Sequence, residues 1–298
     1  MDEDKIKEII YHSDDLGAAP NMTSRIIQAW KDGLIDGFSV FANGDNLDEI
    51  RRALELNRNR NAKIAVHLNL WEGKSLLPPS DIPRLVDSDG YFKTSFLGIL
   101  RHYMIGSKVE KKRILDEVER EWRAQIKKVI DTVKPRPITA VDGHIHIHML
   151  PFLFRVATYL AKEYEIPEIR IVHEPFYFSD KFSECLSKLF LINIIKHVVL
   201  KMCVPQDLRI AKKGGIKYPD AMIGVLYSGM MSKENVESGI RAAERRGVKR
   251  LEIVMHIGRA AESDLARWKG DRKKASFVLS PCRDNEYANL IRLKKGDR

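Results

Sequence analysis

Two stretches of the sequence concentrate the side chains that could do chemistry. Near the amino terminus, an apolar run from Ile9 stops at two adjacent carboxylates, Asp14 and Asp15, with Gly17 just beyond them. Adjacent aspartates repel each other, so a buried pair is expected where a cation or a proton-transfer task stabilises the charge. The other interpretation is a helix N-cap beside a solvated turn residue. The pair predicts a site only if partners exist elsewhere in the chain.

Candidate partners lie in residues 141–151, where one aspartate and three histidines alternate with small or apolar residues. In an extended strand, a period of two places these four side chains on one face. They are Asp142, His144, His146 and His148. Each donor or acceptor left unmet in a core costs about 1 to 3 kcal/mol. The run therefore predicts a metal site or a polar catalytic cleft that uses one or two of the histidines.

A third polar pair lies in the apolar stretch at residues 64–70. His67 and Asn69 share one face of the predicted strand, whereas Val66 and Leu68 point to the other face. Such a histidine is either part of a site or a hydrogen-bonded core residue. The sequence of this strand alone does not separate the two interpretations.

The elements that must position these residues alternate between strand and helix. Predicted strands at residues 37–42, 64–70, 169–172, 221–226 and 251–255 are separated by predicted helices, among them 21–32, 47–56, 152–165 and 233–246. A further helix begins with the capping box of Ser107 and Glu110 and ends before Pro135. This alternation is typical of a parallel sheet.

Composition indicates a soluble globular protein, because 44% hydrophobic and 31% charged residues allow a sizeable core. The net charge of +10 suits an anionic substrate, a membrane surface or nucleic acid. Nucleic acid is disfavoured because the basic carboxyl-terminal tail has no interleaved aromatic residues. The three cysteines lack metal-binding or disulfide spacing, and the amino terminus lacks an apolar leader. We therefore expect a cytoplasmic protein.

The segment at residues 186–204 is rich in Leu, Ile and Val and also carries Lys188, Lys196 and Lys201. It carries too many charged residues to be predicted as a transmembrane span. Its apolar side either packs on the core, with the lysines extending into solvent, or lies at a membrane interface that presents a lipid-linked sugar. The two alternatives look alike in sequence.

Taken together, these blocks resemble the YdjC-like family of carbohydrate deacetylases, which includes chitooligosaccharide deacetylases and is distantly similar to NodB-type polysaccharide deacetylases. The resemblance rests on residues 13–17 with 43–44, residues 66–70 and residues 142–151, in that order. A fourth block, residues 252–258, stands where the family usually shows a Cys-His-Pro-Gly turn. Here its cysteine and proline are absent, and His256 remains.

The resemblance implies metal-dependent removal of an N-acetyl group from an acetamido sugar, with release of acetate. By position, it makes Asp15, His67 and His144 the metal ligands, Asp14 the catalytic base and His256 the candidate acid. Two imidazoles and one carboxylate suit one divalent ion, with magnesium or zinc favoured and manganese, cobalt or iron tolerated. Iron oxygenases use a similar ligand set, but they are all-β jelly rolls.

Further side chains are predicted to contact the substrate. They are His12, Asn43, Asn69, His146, His148 and Ser228. The chain also departs from the family pattern, which usually has Asn-Ala where His12 and Ser13 stand. Together with the altered turn at His256, this departure leaves an alternative open, in which a catalytically altered barrel binds a glycan or acyl ligand without turning it over.

The predicted fold is a distorted (β/α) barrel of about seven strands, with its site at the carboxyl ends of the strands. We expect one catalytic domain over residues 1–298, with irregular or inserted segments at about 71–106 and 173–215. The expected partner is an N-acetylated sugar and not a nucleic acid. A lipid-linked substrate, peripheral attachment to an anionic inner membrane surface and a homodimer are left open.

Overall fold

A curled parallel sheet forms the centre of the protein. The computed structural model describes residues 5–180 and 187–295. In these residues the strands are β1 (Glu8–Leu16), β2 (Gly37–Val40), β3 (Lys63–Leu68), β4 (Ala140–Gly143), β5 (Glu168–Ile169), β6 (Ala221–Ile223) and β7 (Arg250–Met255). Every neighbouring pair is parallel, and the order across the sheet is β5-β4-β3-β2-β1-β7-β6.

Contacts across the sheet show how strongly it curls. In a flat sheet, β5 and β1 would lie about 19 Å apart, because they are four places apart and neighbouring strands are about 4.8 Å apart. Arg170 is the residue after β5. Its guanidinium nevertheless lies 3.0 Å from the Asp14 carboxylate of β1 and 2.7 Å from the Glu252 carboxylate of β7. The sheet is therefore an incomplete barrel with a polar interior, and the predicted (β/α) barrel of about seven strands is confirmed.

Helices pack on the outside of this sheet. They are α1 (Pro20–Lys31), α2 (Leu47–Leu56), α3 (Phe96–Ile105), α4 (Lys108–Val133), α5 (Pro151–Glu163), α6 (Lys188–Gly214), α7 (Lys233–Glu244), α8 (Arg272–Ala275) and α9 (Cys282–Lys295). Two 3-10 helices span His144–Met149 and Glu262–Trp268. The side chains of Trp30, Trp122 and Phe154 are buried between helices and sheet, where large apolar groups stabilise the fold most.

The predicted helix after Ser107 is confirmed as α4, since the Ser107 hydroxyl accepts a hydrogen bond from the Glu110 amide at 3.2 Å. Two acids on its charged side are buried. Glu117 is buried and pairs with Arg84 at 2.8 Å. Glu121 is buried as well and accepts hydrogen bonds from two backbone amides of the segment after β3. These acids anchor residues 71–106, which also contain α3 and are therefore less irregular than predicted.

The extended conformation predicted for the histidine run is wrong beyond Gly143. The chain enters a 3-10 helix there, and Ile145 and His146 adopt φ angles of 51° and 57°. A side chain at Gly143 would come within 2.7 Å of His148 Nδ1, so the tight turn needs a glycine at this position. The four polar side chains of the run consequently do not share one strand face, and each has its own surroundings.

The apolar segment predicted at residues 186–204 lies mostly in α6, and its first residue, Leu186, falls outside the described residues. By length and composition, α6 could cross a membrane, but a third of the relevant window (33%) is buried in the protein, and core helices pass the same test. Its inner face buries the polar side chains of Asn193, His197 and Asp207. Apolar side chains remain on the outer face, so neither alternative from the sequence describes α6 fully.

Candidate metal centre

The two adjacent carboxylates both reach the barrel interior because β1 is irregular near its end. Its register with β2 shifts between Ser13 and Leu16, and Asp15 has a φ of 70°. This left-handed conformation is uncommon outside glycine. A bulge of this kind interrupts the alternation of side chains between the two faces of a strand. As a result, Asp14 and Asp15 line the same cavity.

Asp15 meets two histidines from other strands. Its Oδ1 lies 3.0 Å from His144 Nδ1 and 3.4 Å from His67 Nε2, and those two nitrogens are 3.3 Å apart. All three side chains are buried, and their donor atoms lie within 4.8 Å of one another. One carboxylate oxygen and two imidazole nitrogens converging in this way fit a divalent metal ion. The family resemblance implied this set, and the fold brings the three side chains together.

The orientation of His67 is fixed by a neighbour that the sequence analysis did not assign. Asp142 is its register partner on β4, and its Oδ1 lies 2.7 Å from His67 Nδ1. Burial raises the pKa of Asp142, but Arg170 and His67 outweigh it and hold this pKa below its usual value. Because an ionised carboxylate only accepts, Nδ1 donates, so Nε2, which faces Asp15, is the nitrogen that would bind a metal ion once it has lost its proton. Carboxylates commonly orient metal-binding histidines in this way.

The charge around the rings favours a cation. Burial lowers the pKa of His67, but the Asp142 and Asp14 carboxylates outweigh it and raise the pKa to about 10. Burial also lowers the pKa of His144, and Glu72 and Asp15 raise it to about 9. Acidic side chains therefore create a strongly negative field at both rings. A divalent ion would be stabilised by the same field.

Asp14 lies beside this set but is held by a different partner. Both of its oxygens lie 3.0 Å from Arg170 Nη1. Burial raises the pKa of Asp14, but Arg170 and His67 outweigh it and hold this pKa far below its usual value. Asp14 is thus an ionised, oriented carboxylate next to the candidate metal ligands.

A cavity of about 430 Å³ opens above these side chains. Asp14, Asp15, His67 and His144 form part of its lining, and three other predicted residues, His146, Ser228 and His256, line it as well. The candidate base, the ligand set and the candidate acid therefore share one cavity, at the carboxyl ends of the strands.

His256 follows β7, and its ring packs edge-on against Phe277 with the centroids 5.0 Å apart. Its Nδ1 is 4.0 Å from Glu286 Oε2. Burial and the nearby Arg283 guanidinium lower the pKa of His256 to about 4. At neutral pH the ring is consequently uncharged, which limits its ability to donate a proton.

Other predicted substrate contacts are placed away from this lining. His12 lies inside the barrel, where its Nε2 is 2.7 Å from Ser39 Oγ. His148 Nε2 is 3.0 Å from the Arg170 carbonyl, and the ring stacks near Phe154. Neither histidine lines the cavity that holds the candidate ligands.

The two predicted asparagines organise the segment after β3. Asn69 Oδ1 accepts hydrogen bonds from the amides of Trp71 and Glu72 at 2.8 and 3.1 Å. Asn43 Nδ2 donates to the Lys74 carbonyl at 3.0 Å and lines a separate cavity of about 370 Å³. Through Asn69 the segment places Glu72, whose Oε1 lies 3.3 Å from His144 Nε2.

Sequence reasoning also missed two arginines. Arg170 interrupts the apolar run around β5, and a charge in such a run is a signal that could have been used. Arg283 comes from α9, and its Nη2 donates to Asp15 Oδ2 at 2.7 Å. It belongs to a charged carboxyl-terminal stretch, where nothing in the pattern distinguishes it from solvated residues.

Comparisons with known proteins agree on one family. The model of the family described as YdjC-like protein matches residues 8–292. A carbohydrate deacetylase from Danio rerio is 24% identical over 266 residues, which cover 88% of this chain and 79% of that protein. A carbohydrate deacetylase from Enterococcus faecalis is 32% identical over 164 residues, covering 54% and 57% of the two chains. A chitooligosaccharide deacetylase from Salmonella dublin is 27% identical over 156 residues, covering 52% and 56%.

A solved structure from Enterococcus faecalis, described as a cellobiose-phosphate cleavage protein, has a similar fold. Its TM-score is 0.59 at 23% identity, with 96% of this chain and 94% of that chain covered. At this identity the likeness concerns the fold alone. It agrees with the curled parallel barrel seen here along nearly the whole chain.

Proposed function

This chain belongs to the YdjC-like family, and on that premise we propose that it is a metal-dependent hydrolase that removes the acetyl group from an acetamido sugar. The observation that carries the proposal is the convergence of Asp15, His67 and His144 beside the ionised Asp14 in one cavity. The names of the relatives, carbohydrate deacetylase and chitooligosaccharide deacetylase, support the substrate class.

We propose that Asp15, His67 and His144 hold one divalent ion. When bound, such an ion supplies a Lewis acid that lowers the pKa of a water molecule and polarises the amide carbonyl. Two imidazole ligands favour zinc over magnesium, while the carboxylate makes manganese, cobalt or iron acceptable. Glu72 and Asp142 keep the two rings in place from outside the set.

Asp14 is the proposed proton acceptor. As the water oxygen bonds to the acetamide carbon, a carboxylate oxygen of Asp14 takes the water proton. Arg170 keeps this carboxylate ionised and oriented, so it is ready to accept. A carboxylate of low pKa is a weak base, and it readily gives the proton up again. This property suits the return of the proton to the departing nitrogen.

Cleavage of the carbon–nitrogen bond then leaves acetate and a free sugar amine. His256 is the second candidate for the proton donor to that amine, since it lines the same cavity. Its pKa of about 4 leaves little of the protonated form at neutral pH, which favours Asp14 as the main donor. In this scheme His256 binds the substrate through a hydrogen bond.

The location and larger partners are proposed from the surface. We propose a cytoplasmic enzyme that can contact an anionic inner membrane surface through α6, whose Lys188, Lys196 and Lys201 are exposed. Salt should weaken such a contact, because it screens attraction between exposed charges. A homodimer, which the sequence left open, is not part of this proposal.

Acetate release provides the test of the chemistry. Purified protein should release acetate from N-acetylglucosamine oligomers, lose this activity in a chelator and regain it with zinc or magnesium. A metal-loaded protein that binds these sugars and releases no acetate from them would favour the alternative of a barrel that binds without turnover. Activity that survives complete removal of metal would contradict the proposed ligand set.

A further inference from the structure

The cavity above the candidate metal ligands has two unlike sides. Carboxylates and imidazoles lie at its base, but its upper wall is largely apolar. That wall includes Trp71, Phe96, Leu97, Ile145, Ile195 and Phe277. A sugar presents mostly hydroxyl groups, which need hydrogen-bond partners when they are buried. Apart from the acids, histidines and Arg283, the lining offers polar side chains only from Lys196 and Ser228, so most of this wall favours an apolar group.

The apolar wall continues out of the cavity onto the protein surface. Leu97 of α3 and Ile195 of α6 both line the cavity, yet they are 68% and 65% exposed. Both helices therefore line the mouth of the cavity. A ligand leaving the base of the cavity would pass between them.

On α6 the exposed apolar side chains are regularly spaced. Leu191, Ile195, Val198 and Met202 follow one another at intervals of four, three and four residues, which places them on one helix face. Their exposed fractions are 55%, 65%, 49% and 76%. An ordinary surface helix directs such a stripe toward the core. Here the stripe faces outward and runs into the cavity through Ile195.

Helix α3 also carries exposed apolar side chains beyond Leu97. Met104 and Ile105 near its end are 66% and 73% exposed, and Val109 at the start of α4 is 58% exposed. Large exposed apolar patches on soluble proteins mark interaction sites or ligand-binding grooves. Together, the exposed side chains of α3, Val109 and the outer stripe of α6 form what we call the apolar channel.

We infer that the substrate is an acetamido sugar that carries an apolar chain, with the sugar at the base of the cavity and the chain along the apolar channel. The inference rests on the proposed deacetylase function. It commits to the chain of the substrate because the apolar surface is continuous with the interior of the cavity. A flat bilayer or a second copy of the protein could cover the outer stripe but would not reach Phe96 within the cavity.

Two glycosides of N-acetylglucosamine that differ only in their aglycone test the inference. Methyl and dodecyl glycosides, both below the micelle concentration of the dodecyl compound, should give a KM for the dodecyl compound lower by at least about tenfold, because burial of each methylene is favourable. Equal KM values with turnover of both substrates would overturn the inference and leave the deacetylase function standing.

Variants locate the effect in the apolar channel. Ile195→Ser and Leu97→Ser should each narrow the KM ratio between the methyl and dodecyl compounds. The matched control is Leu56→Ser, at the end of α2, where a leucine that is even more exposed (81%) lies away from the cavity. This control should keep the full ratio. A ratio that falls equally in all three variants would contradict the assignment to this channel.

Binding measured without turnover tests the inference separately from the proposed deacetylase function. If neither glycoside is hydrolysed, the proposed function fails, and binding to the Asp14→Asn variant still decides the inference. Tryptophan fluorescence, with Trp71 in the cavity wall, should then report tighter binding of the dodecyl compound than of the methyl compound. No difference in binding would overturn the inference. Association with anionic vesicles or dimerisation that depends on Ile195, with no aglycone preference, would overturn it as well.

Discussion

Two clusters of acids and histidines lie side by side in the barrel, and they differ in the cation next to them. In the first, Asp15, His67 and His144 converge at the base of the cavity. In the second, His12, Asp14 and Asp142 offer a similar set of donor atoms within the same distance. We call them the cavity cluster and the inner cluster. By residue type alone, either could hold a metal ion.

The inner cluster already has its cation. The Arg170 guanidinium lies 3.0 Å from Asp14 and 2.8 Å from Asp142, and it pairs with Glu252 at 2.7 Å. Burial lowers the pKa of Arg170, but these carboxylates outweigh it and raise the pKa well above its usual value. A guanidinium that stays charged neutralises the acids permanently. In the cavity cluster, Arg283 bonds only the outer oxygen of Asp15, and the inner oxygen faces both imidazoles.

The two clusters thus differ in the position of an arginine, which separates the proposed metal site from a structural ion-pair network. Removing one partner from a buried ion pair typically costs about 3 to 5 kcal/mol, so the inner cluster should be rigid. That rigidity benefits Asp14, which belongs to the inner cluster and also lines the cavity. One carboxylate thus links the fixed network to the candidate chemistry.

The largest expected effect is loss of metal from the cavity cluster. His67→Ala and His144→Ala should each lower metal affinity by more than about 100-fold, because even outer partners of a ligand are worth about 10 to 100-fold. Elemental analysis of purified protein measures this directly. His12→Ala, the matched change in the inner cluster, should keep its metal. Full retention of metal in both cavity variants would reverse the assignment of the two clusters.

The second effect concerns the adjacent carboxylates, which the comparison assigns to different clusters. Asp14→Asn should keep the metal but lower turnover by at least about 100-fold, the usual scale for loss of a general base. Asp15→Asn should lose both metal and turnover. Metal content and acetate release measured on the same preparations separate these outcomes. Near-native turnover of Asp14→Asn would mean that another group is the base.

Much of the fold follows from local patterns in the sequence. The strand and helix alternation predicts the parallel barrel, and α4 is predicted closely because Ser107 supplies its cap and apolar residues recur at helical spacing. The extended conformation predicted for the histidine run is wrong for a local reason. Ile145 and His146 adopt left-handed conformations, which are rare for residues other than glycine and leave no mark in the sequence.

The site is predictable only in part, because its neighbours come from distant elements. Asp15, His67 and His144 stand out as polar residues at the ends of apolar strands. Arg170 and Arg283 reach the two aspartates from 156 and 268 residues away along the chain. Which arginine neutralises which carboxylate depends on how the sheet curls and where α9 returns. A single sequence does not contain that information in any local pattern.

The smallest expected effect tests the bond that joins the two clusters. Asp142 touches both, at 2.7 Å from His67 and 2.8 Å from Arg170. Asp142→Asn should lower metal affinity by about 10 to 100-fold, because an amide orients the ring of His67 less well than a carboxylate and makes it a poorer ligand. Metal titration measures this change.

The matched control is Glu252→Gln, which alters a partner of Arg170 that is bonded to the guanidinium at 2.7 Å. This control should lower thermal stability and keep metal affinity near its native value. An equal loss of metal affinity in both variants would mean that the Arg170 network as a whole, and not the bond to His67, supports the metal site.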